Sequence, residues 1–438
     1  MKLSFKFKPN FSHKQLKIVK ELSWHCSKLY NTVNYQIKNN EEVKAVYTKL
    51  ENKFKSNWHT DYLHSHNRQQ LFKQLAQDWK SYFNSIKDYK KNPNKYRGQP
   101  KPPNFKYLDN NPSEIIFTNL ATRIREGNLL LSLSKEIKNE YQVDSLKFEL
   151  PPVVQSLINL DNLQQLRIKR DNLSSDWYLI IIHKVNEKEN ASGDNIMAIA
   201  SPRWGDAGST MRNLEEEAVD LGLNNLATLT FKDNTENYII NGKPIKSKNS
   251  YFNKEITKLQ AIRMKQTGSK NFKDTSQIKQ LRIKRKNYIT NYLHQASRKI
   301  INLAKNHQVS KIIIGDIKQI KQNMNYNKSF VQIPIQRLKK LIEYKAKIEG
   351  IELITVNEAY TSGCSALDLE KLNKANYNKS RRIERGLFKS NIGLTINADV
   401  NGSLNIMRKF LNKECIPELV NQARDNGVVN PPSRLRIA

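Results

Sequence analysis

The chain has 438 residues, 74 of them Lys or Arg and 41 Asp or Glu, for a formal net charge of +33. That length implies two or three domains, and the surplus of cations is the electrostatic footprint of a polyanion-binding protein, more than solubility requires. No apolar run is long enough to cross a membrane, and the three scattered cysteines, Cys26, Cys364 and Cys415, exclude a CxxC pair and a disulfide framework, which makes a reducing bacterial cytoplasm the expected compartment.

In residues 1–10, Leu3, Phe5 and Phe7 alternate with Lys2, Lys6 and Lys8, which predicts a strand and not the continuous apolar core of a signal peptide. Residues 11–90 read as helices: Leu22, Cys26, Leu29 and Val33 recur at spacings of three and four, as do Leu71, Leu75, Trp79 and Phe83. Residues 91–106 hold four prolines and no acid, an extended basic loop. Strand-like runs follow at 115–118, 129–133, 166–169 and 177–183. With the first strand they predict a β-barrel, spread over 1–10 and 91–186 and interrupted by the helical part. Residues 187–217 contain Pro202, Gly205 and Gly208 and end in three glutamates, and read as a linker or insertion.

From residue 218 to 412 the pattern is an ordered α/β domain. Strands are predicted at 218–221, 226–231 and 238–240, with a turn at Asn241-Gly242. Ile289, Leu293, Ala296, Ile300 and Leu303 define a long amphipathic helix. The strand at 309–314 ends in a continuous apolar run, which suits a sheet covered on both faces. A helix at 335–349 capped by Gly350, a strand at 351–356 and a helix at 399–411 complete the set. Three strands, helix, strand, helix, strand, helix is the order of an RNase H-like domain. Residues 413–438 read as a tail.

Phosphodiester hydrolysis on that fold uses two Mg²⁺ ions roughly 4 Å apart. Mg²⁺ prefers carboxylate oxygens and water, so acids from separate elements must converge at one end of the sheet. Asp220 lies in the apolar stretch AVDLGLNNLATL, where a charge needs a partner or a metal. Asp399 opens the last helix, a position that also suits a helix cap, with Asn401 and Asn405 close by. Two positions compete for a third acid: Asp316 after the strand VSKIIIG, and Glu358 after the strand IELITV. The interval from Lys265 to Lys305 carries eleven Lys or Arg and one acid, Asp274. Lys279, Arg282, Lys284, Arg285 and Lys286 in it are candidate phosphate contacts, and binding through them would be strongly salt-dependent.

At these residues the sequence resembles the TnpB (OrfB) family of transposon-encoded RNA-guided endonucleases, relatives of the miniature type V CRISPR effectors. VDLGLNNLAT is similar to the first RuvC motif of that family and NADVNGSLNI to the third. GDIKQIKQ, FVQIP, EYKAKIEGI, NEAYTSGCSALD and RRIERGLFKS resemble the parts between, and RGQPKPPNFK and SWHCSKLYNTV the N-terminal parts. The resemblance spans most of the chain. It implies a wedge β-barrel interrupted by a helical recognition domain, then a RuvC (RNase H-like) nuclease domain with residues 360–397 as a nucleic-acid-binding insert. It also implies a guide RNA from the transposon end and a double-stranded DNA target with a short flanking motif, the protein reading backbone and shape while the RNA reads sequence. Lys318, Lys321, Arg382 and Arg385 join the candidate nucleic-acid contacts.

Three features depart from the commoner pattern. The insert holds one cysteine, Cys364, where many members have a four-cysteine zinc ribbon, so no zinc is expected. Gly315 stands where a glutamate is common, and the segment 196–217 before Asp220 is unfamiliar. Side chains alternate along a strand, so Asp316, one residue past Gly315, falls on the wrong face to replace that glutamate. NEAYTS resembles the glutamate-bearing motif of the branch that lacks it. The resulting expectation is that Asp220, Glu358 and Asp399 bind two Mg²⁺ ions. The alternatives are a guided DNA-binding protein, repressor-like and without cleavage, and a DDE transposase. The last would need a Glu within the final helix, which here has none before Glu414.

Overall fold

The N-terminal alternation makes a strand, β1 (Lys2–Phe7), with Phe5 and Phe7 against the core and the lysines exposed. Ser12 then starts helix α1 (His13–Asn39) through a reciprocal capping box with Gln15, whose side chain reaches back to the Ser12 amide. Its face of Leu22, Cys26, Leu29 and Val33 is fully buried. The computed structural model describes residues 1–96, 98–107, 111–156, 158, 161–186, 195–200, 225–232, 234–316, 334–384, 386–411, 420–421 and 431–437. They fall into two compact units, Met1–Val185 and Asn186–Ala438. Among the described residues no helix is long and apolar enough to cross a membrane.

The first unit continues with α2 (Tyr47–Phe54), α3 (Ser65–Lys91), β2 (Ile115–Thr118), β3 (Thr122–Arg125), β4 (Asn128–Ser132), α4 (Lys135–Tyr141), β5 (Ser145–Glu149), the single turn α5 (Pro152–Gln155), β6 (Leu163–Arg170) and β7 (Trp177–Lys184). The strands expected to form one barrel pair as two sheets, β1-β7-β6-β2 and β3-β4-β5. One apolar core joins them to the helices: Phe117, Leu129, Leu166 and Ile181 share it with Leu22, Leu29 and Leu75.

The second unit is a mixed α/β fold. Its elements are β8 (Asn195–Ala200), β9 (Asn225–Phe231), β10 (Asn234–Asn241), α6 (Lys243–Thr267), α7 (Ser276–Asn306), β11 (Val309–Asp316), α8 (Ile335–Ile348), β12 (Glu352–Asn357), the small hairpin β13 (Leu387–Lys389) and β14 (Thr395–Asn397), α9 (Ala398–Leu411) and β15 (Ser433–Leu435). The main sheet has the order β12-β11-β8-β9-β10-β15. β8 pairs antiparallel with β9 and parallel with β11, and β11 parallel with β12. β8, β11 and β12 therefore end, and β9 begins, at the same end of the sheet. Alternation sends Ile312 and Ile314 into a core with Leu293, Ile300 and Leu338 of α7 and α8. Ile313 turns the other way, against Ile406 and Met407 of α9.

Three readings of the sequence are corrected. The segment 187–217, read as a linker or insertion, contributes a strand of the sheet, β8: NIMAIA is a strand-forming run, but it is short and abuts the Pro- and Gly-bearing stretch that follows; the strand expected at 218–221 lies outside the described residues. Asn241-Gly242, read as a turn after a strand, is where β10 passes directly into a helix. Gly242 precedes α6, whose Pro244 sits in the first turn, where its missing N–H costs nothing. The buried positions of that helix, Ile245, Asn249, Phe252 and Ile256, keep helical spacing, but one is an asparagine and they cover only its first half, which weakens the apolar signal over its 25 residues. The tail contributes β15, parallel to β10 at the sheet edge.

Candidate active site

Helix α9 brings Asp399 to the sheet. Its N-terminus is capped by Asn397, whose side-chain oxygen accepts from the amides of Asp399 (3.0 Å) and Val400 (3.3 Å). The Asp399 carboxylate is thus released from the capping role its position allowed. It accepts a 2.6 Å hydrogen bond from the side-chain amide of Asn225, the first residue of β9. The remaining oxygen of Asn225, Oδ1, is buried and has no hydrogen-bond partner among the described residues. A buried orphan acceptor is costly, and beside a carboxylate it fits a hydrated cation.

Glu358 follows β12 at the same end of the sheet and is 8% exposed. The backbone pairs Gly315 with Val356 and Asp316 with Asn357. Gly315 shares the α9 side of the sheet with Ile313 and Val356. A Cβ placed on Gly315 would overlap Oε1, Cγ and Cδ of Glu358. The Glu358 side chain therefore lies in the space that any side chain at 315 would need. Glycine is required there for close approach, whatever its backbone angles.

Two asparagines on α9 fix the segment after Glu358. Asn401 donates to the Cys364 carbonyl (2.9 Å) and accepts from the Ala366 amide (2.8 Å); Asn405 donates to the carbonyls of Thr361 and Cys364 (both 2.8 Å). Both are fully buried. The insert itself is organised around Glu370, which accepts from the Ser365 amide, the Asn391 side chain and the Arg381 guanidinium (2.7 Å). Arg408 ties the Glu370 carbonyl back to α9. Burial pushes the Cys364 thiol up in pKa.

Asp220 lies outside the described residues, in the 201–224 connection whose two ends, Ala200 and Asn225, are both at this end of the sheet. Among the described residues no three acids, histidines or cysteines converge as a metal-binding group. Of the basic candidates, Arg282 pairs with Asp274 (2.9 Å), and Arg285 donates to Asn249 of α6 (2.5 Å). Burial, then the Arg282 charge, lowers the pKa of Arg285. Arg285 thus joins α7 to α6, while Arg282 ties α7 to the connection that precedes it. Lys284 and Lys286 are exposed, Lys279 and Arg382 half-buried. Lys318, Lys321 and Arg385 lie outside the described residues, as does the side chain of Asp316. The sequence missed Asn225, whose only signal was polarity beside the DLG motif, and the Glu370 hub, which carries no spacing signal.

Residues 210–321 match the family model of the probable transposase OrfB_IS605, and residues 336–406 match the Cas12f1-like TNB domain. The chain is 23% identical over 426 residues to the TnpB-like protein ORF457 of Acidianus two-tailed virus, covering 92% of this chain and 84% of that protein. It is 30% identical over 139 residues to the CRISPR-associated endodeoxyribonuclease Cas12f2 of Micrarchaeota archaeon (strain CG1_02_47_40), over 27% and 23% of the two chains. Among solved structures, Cas12f1 in a complex with sgRNA and target DNA superposes with a TM-score of 0.59 at 16% identity, over 91% of this chain and 83% of that one. At that identity the likeness is one of fold.

Proposed function

We propose that this chain, which belongs to the TnpB/OrfB family, is an RNA-guided DNA endonuclease whose RuvC site is built from Asp220, Glu358 and Asp399. The observation that carries this reading is the Glu358 side chain over Gly315. Where the resemblance implies that a glutamate often stands, this chain has Gly315, and the Glu358 side chain occupies the space beside it from the end of the neighbouring strand. The strand order β12-β11-β8-β9-β10 in a mixed sheet supports an RNase H-like reading, as does the position of Asp399 and Glu358 at the same end of that sheet. The donor set is all oxygen, which suits Mg²⁺ and not zinc. The metal pair, when bound, activates water and stabilises the leaving oxygen. This chain's own residues orient the ligands: Asn225 holds one oxygen of Asp399, and Asn401 and Asn405 fix the backbone that follows Glu358. The first unit would serve as wedge and recognition parts, and guide RNA and double-stranded target DNA with a short flanking motif are the proposed partners.

A second reading has one observation in its favour. β8 ends at Ala200, twenty positions before Asp220, so the first carboxylate is not part of the described strand. A chain in which Asp220 never reaches the site would bind guided DNA without cutting it. The test is cleavage of a guide-matched plasmid in Mg²⁺ by the wild type and by Asp220→Ala and Asp399→Asn. The nuclease reading expects a cut from the wild type and none from either variant. Retained guide-dependent binding without a cut by the wild type would establish the second reading.

A further inference from the structure

Helix α1 carries Lys20, Trp24 and Lys28 at successive spacings of four, a single stripe along one face. Both lysines are exposed, and the Lys28 ammonium stands 5.5 Å above the Trp24 ring. Beside this stripe lies Trp58, 54% exposed, its ring centroid 6.0 Å from that of Trp24. A tryptophan so open to water forgoes most of the burial its size offers. Its mount is rigid. Asn57 caps the turn by accepting from the His59 amide at 3.1 Å. The Trp58 ring leans on His59 with centroids 4.0 Å apart, and beneath them His25 stacks on Tyr62 at 4.2 Å and 11°.

Trp24 also walls a cavity of about 770 Å³, and Lys8, Lys20, Arg170 and the edge of Trp177 line it as well. The one acid in that lining, Asp176, is paired with Lys8 at 2.8 Å. The cavity lining is therefore net cationic, and beyond it Lys20 and Lys28 flank Trp24 on the way to Trp58, so that aromatic faces lie between the charges. That alternation is what a flexible strand with unpaired bases requires, phosphates on the lysines and bases on the rings. A duplex offers the phosphates but keeps its bases stacked on one another.

We propose that Trp58, Trp24 and the lysines at 20 and 28 form a stacking platform for an unpaired stretch of RNA. Its assignment to RNA rests on the guided-nuclease reading, in which the guide is bound before any target duplex is opened; the displaced DNA strand offers unpaired bases only after that, and the deoxy oligomer tests for it. The platform itself needs no cleavage activity, so it is tested by binding alone.

The full chain is titrated with an eight-residue oligouridylate, its deoxy counterpart and a short RNA duplex, following tryptophan fluorescence. The oligouridylate should quench the signal, and Trp58→Ala should weaken binding about tenfold, the order expected for one stacked base. Trp58→Phe should retain most of the affinity. Lys20→Gln with Lys28→Gln should weaken binding and flatten its salt dependence. Equal affinity of wild type and Trp58→Ala overturns the platform, as does equal Trp58-dependence for the duplex. Tighter, Trp58-dependent binding of the deoxy strand overturns the assignment to RNA. None of these outcomes depends on whether the chain cuts DNA.

Discussion

At Gly315 one absent side chain decides where a carboxylate can stand. Even a methyl group there would meet Glu358, and overpacking a tight site typically costs 1–3 kcal/mol. Gly315→Ala should therefore lower the melting temperature, with a loss of about 2 kcal/mol. Adding Glu358→Ala should recover part of that loss, because the obstructing group is gone. Simple additivity in this double-mutant cycle would show that the two positions do not share space. Both residues were legible in the sequence: Glu358 by its place after an apolar strand, Gly315 by what it replaced. Their physical contact was not, since it joins neighbouring strands through a register that only pairing reveals. Asn225 was still less legible, because an asparagine in a polar loop looks like many others until its partner, Asp399, is known.

Among the elements, α9 does more than carry Asp399. Asn405 satisfies two backbone carbonyls of the segment that follows Glu358, and removing a buried donor leaves those acceptors stranded. Asn405→Ala should cost about 1–3 kcal/mol by denaturant melt, and should slow cleavage more than guide binding. Equal losses in both would make its role merely structural. In α1, His25 is 3% exposed and burial, then the nearby His59, holds its pKa down to about 4, from an ordinary 6.5. Between those values the unfolded chain takes up a proton that the folded chain refuses. Stability is then fully present above about pH 6.5 and is lost as pH falls toward 4, by about 3 kcal/mol. Melting temperatures should drop across that window, and less steeply in His25→Gln; parallel profiles would contradict the assignment. The long helices α1, α7 and α9 were readable because their apolar faces are continuous. Helix α6 and strand β8 were not: one buries few residues over its length, and the other is a six-residue run beside turn formers.

For the molecule as a whole, the charge of +33 makes nucleic-acid binding a counterion-release process. The structure separates the basic residues of α7 by role. Arg282 and Arg285 are half-buried and pair with Asp274 and Asn249, and Lys284 and Lys286 are exposed. Replacing Lys284 and Lys286 together with Gln should lower nucleic-acid affinity and reduce the salt slope by about 2, one per phosphate contact. An unchanged slope would place those contacts elsewhere. Arg282→Gln should instead lower the melting temperature. Composition alone foretold a polyanion partner but could not sort half-buried cations from exposed ones, because that depends on which side of a helix pair each faces.

We propose that Glu358, and not Asp316, is the middle carboxylate of a guided nuclease. The direct measurement is the rate at which purified guide complexes cut a matched DNA target in Mg²⁺, comparing wild type, Glu358→Gln and Asp316→Asn with guide binding checked in each. Glu358→Gln should lose cleavage while keeping its guide, and Asp316→Asn should cut at close to the wild-type rate. A Glu358→Gln complex that cuts normally while Asp316→Asn is inert would contradict it.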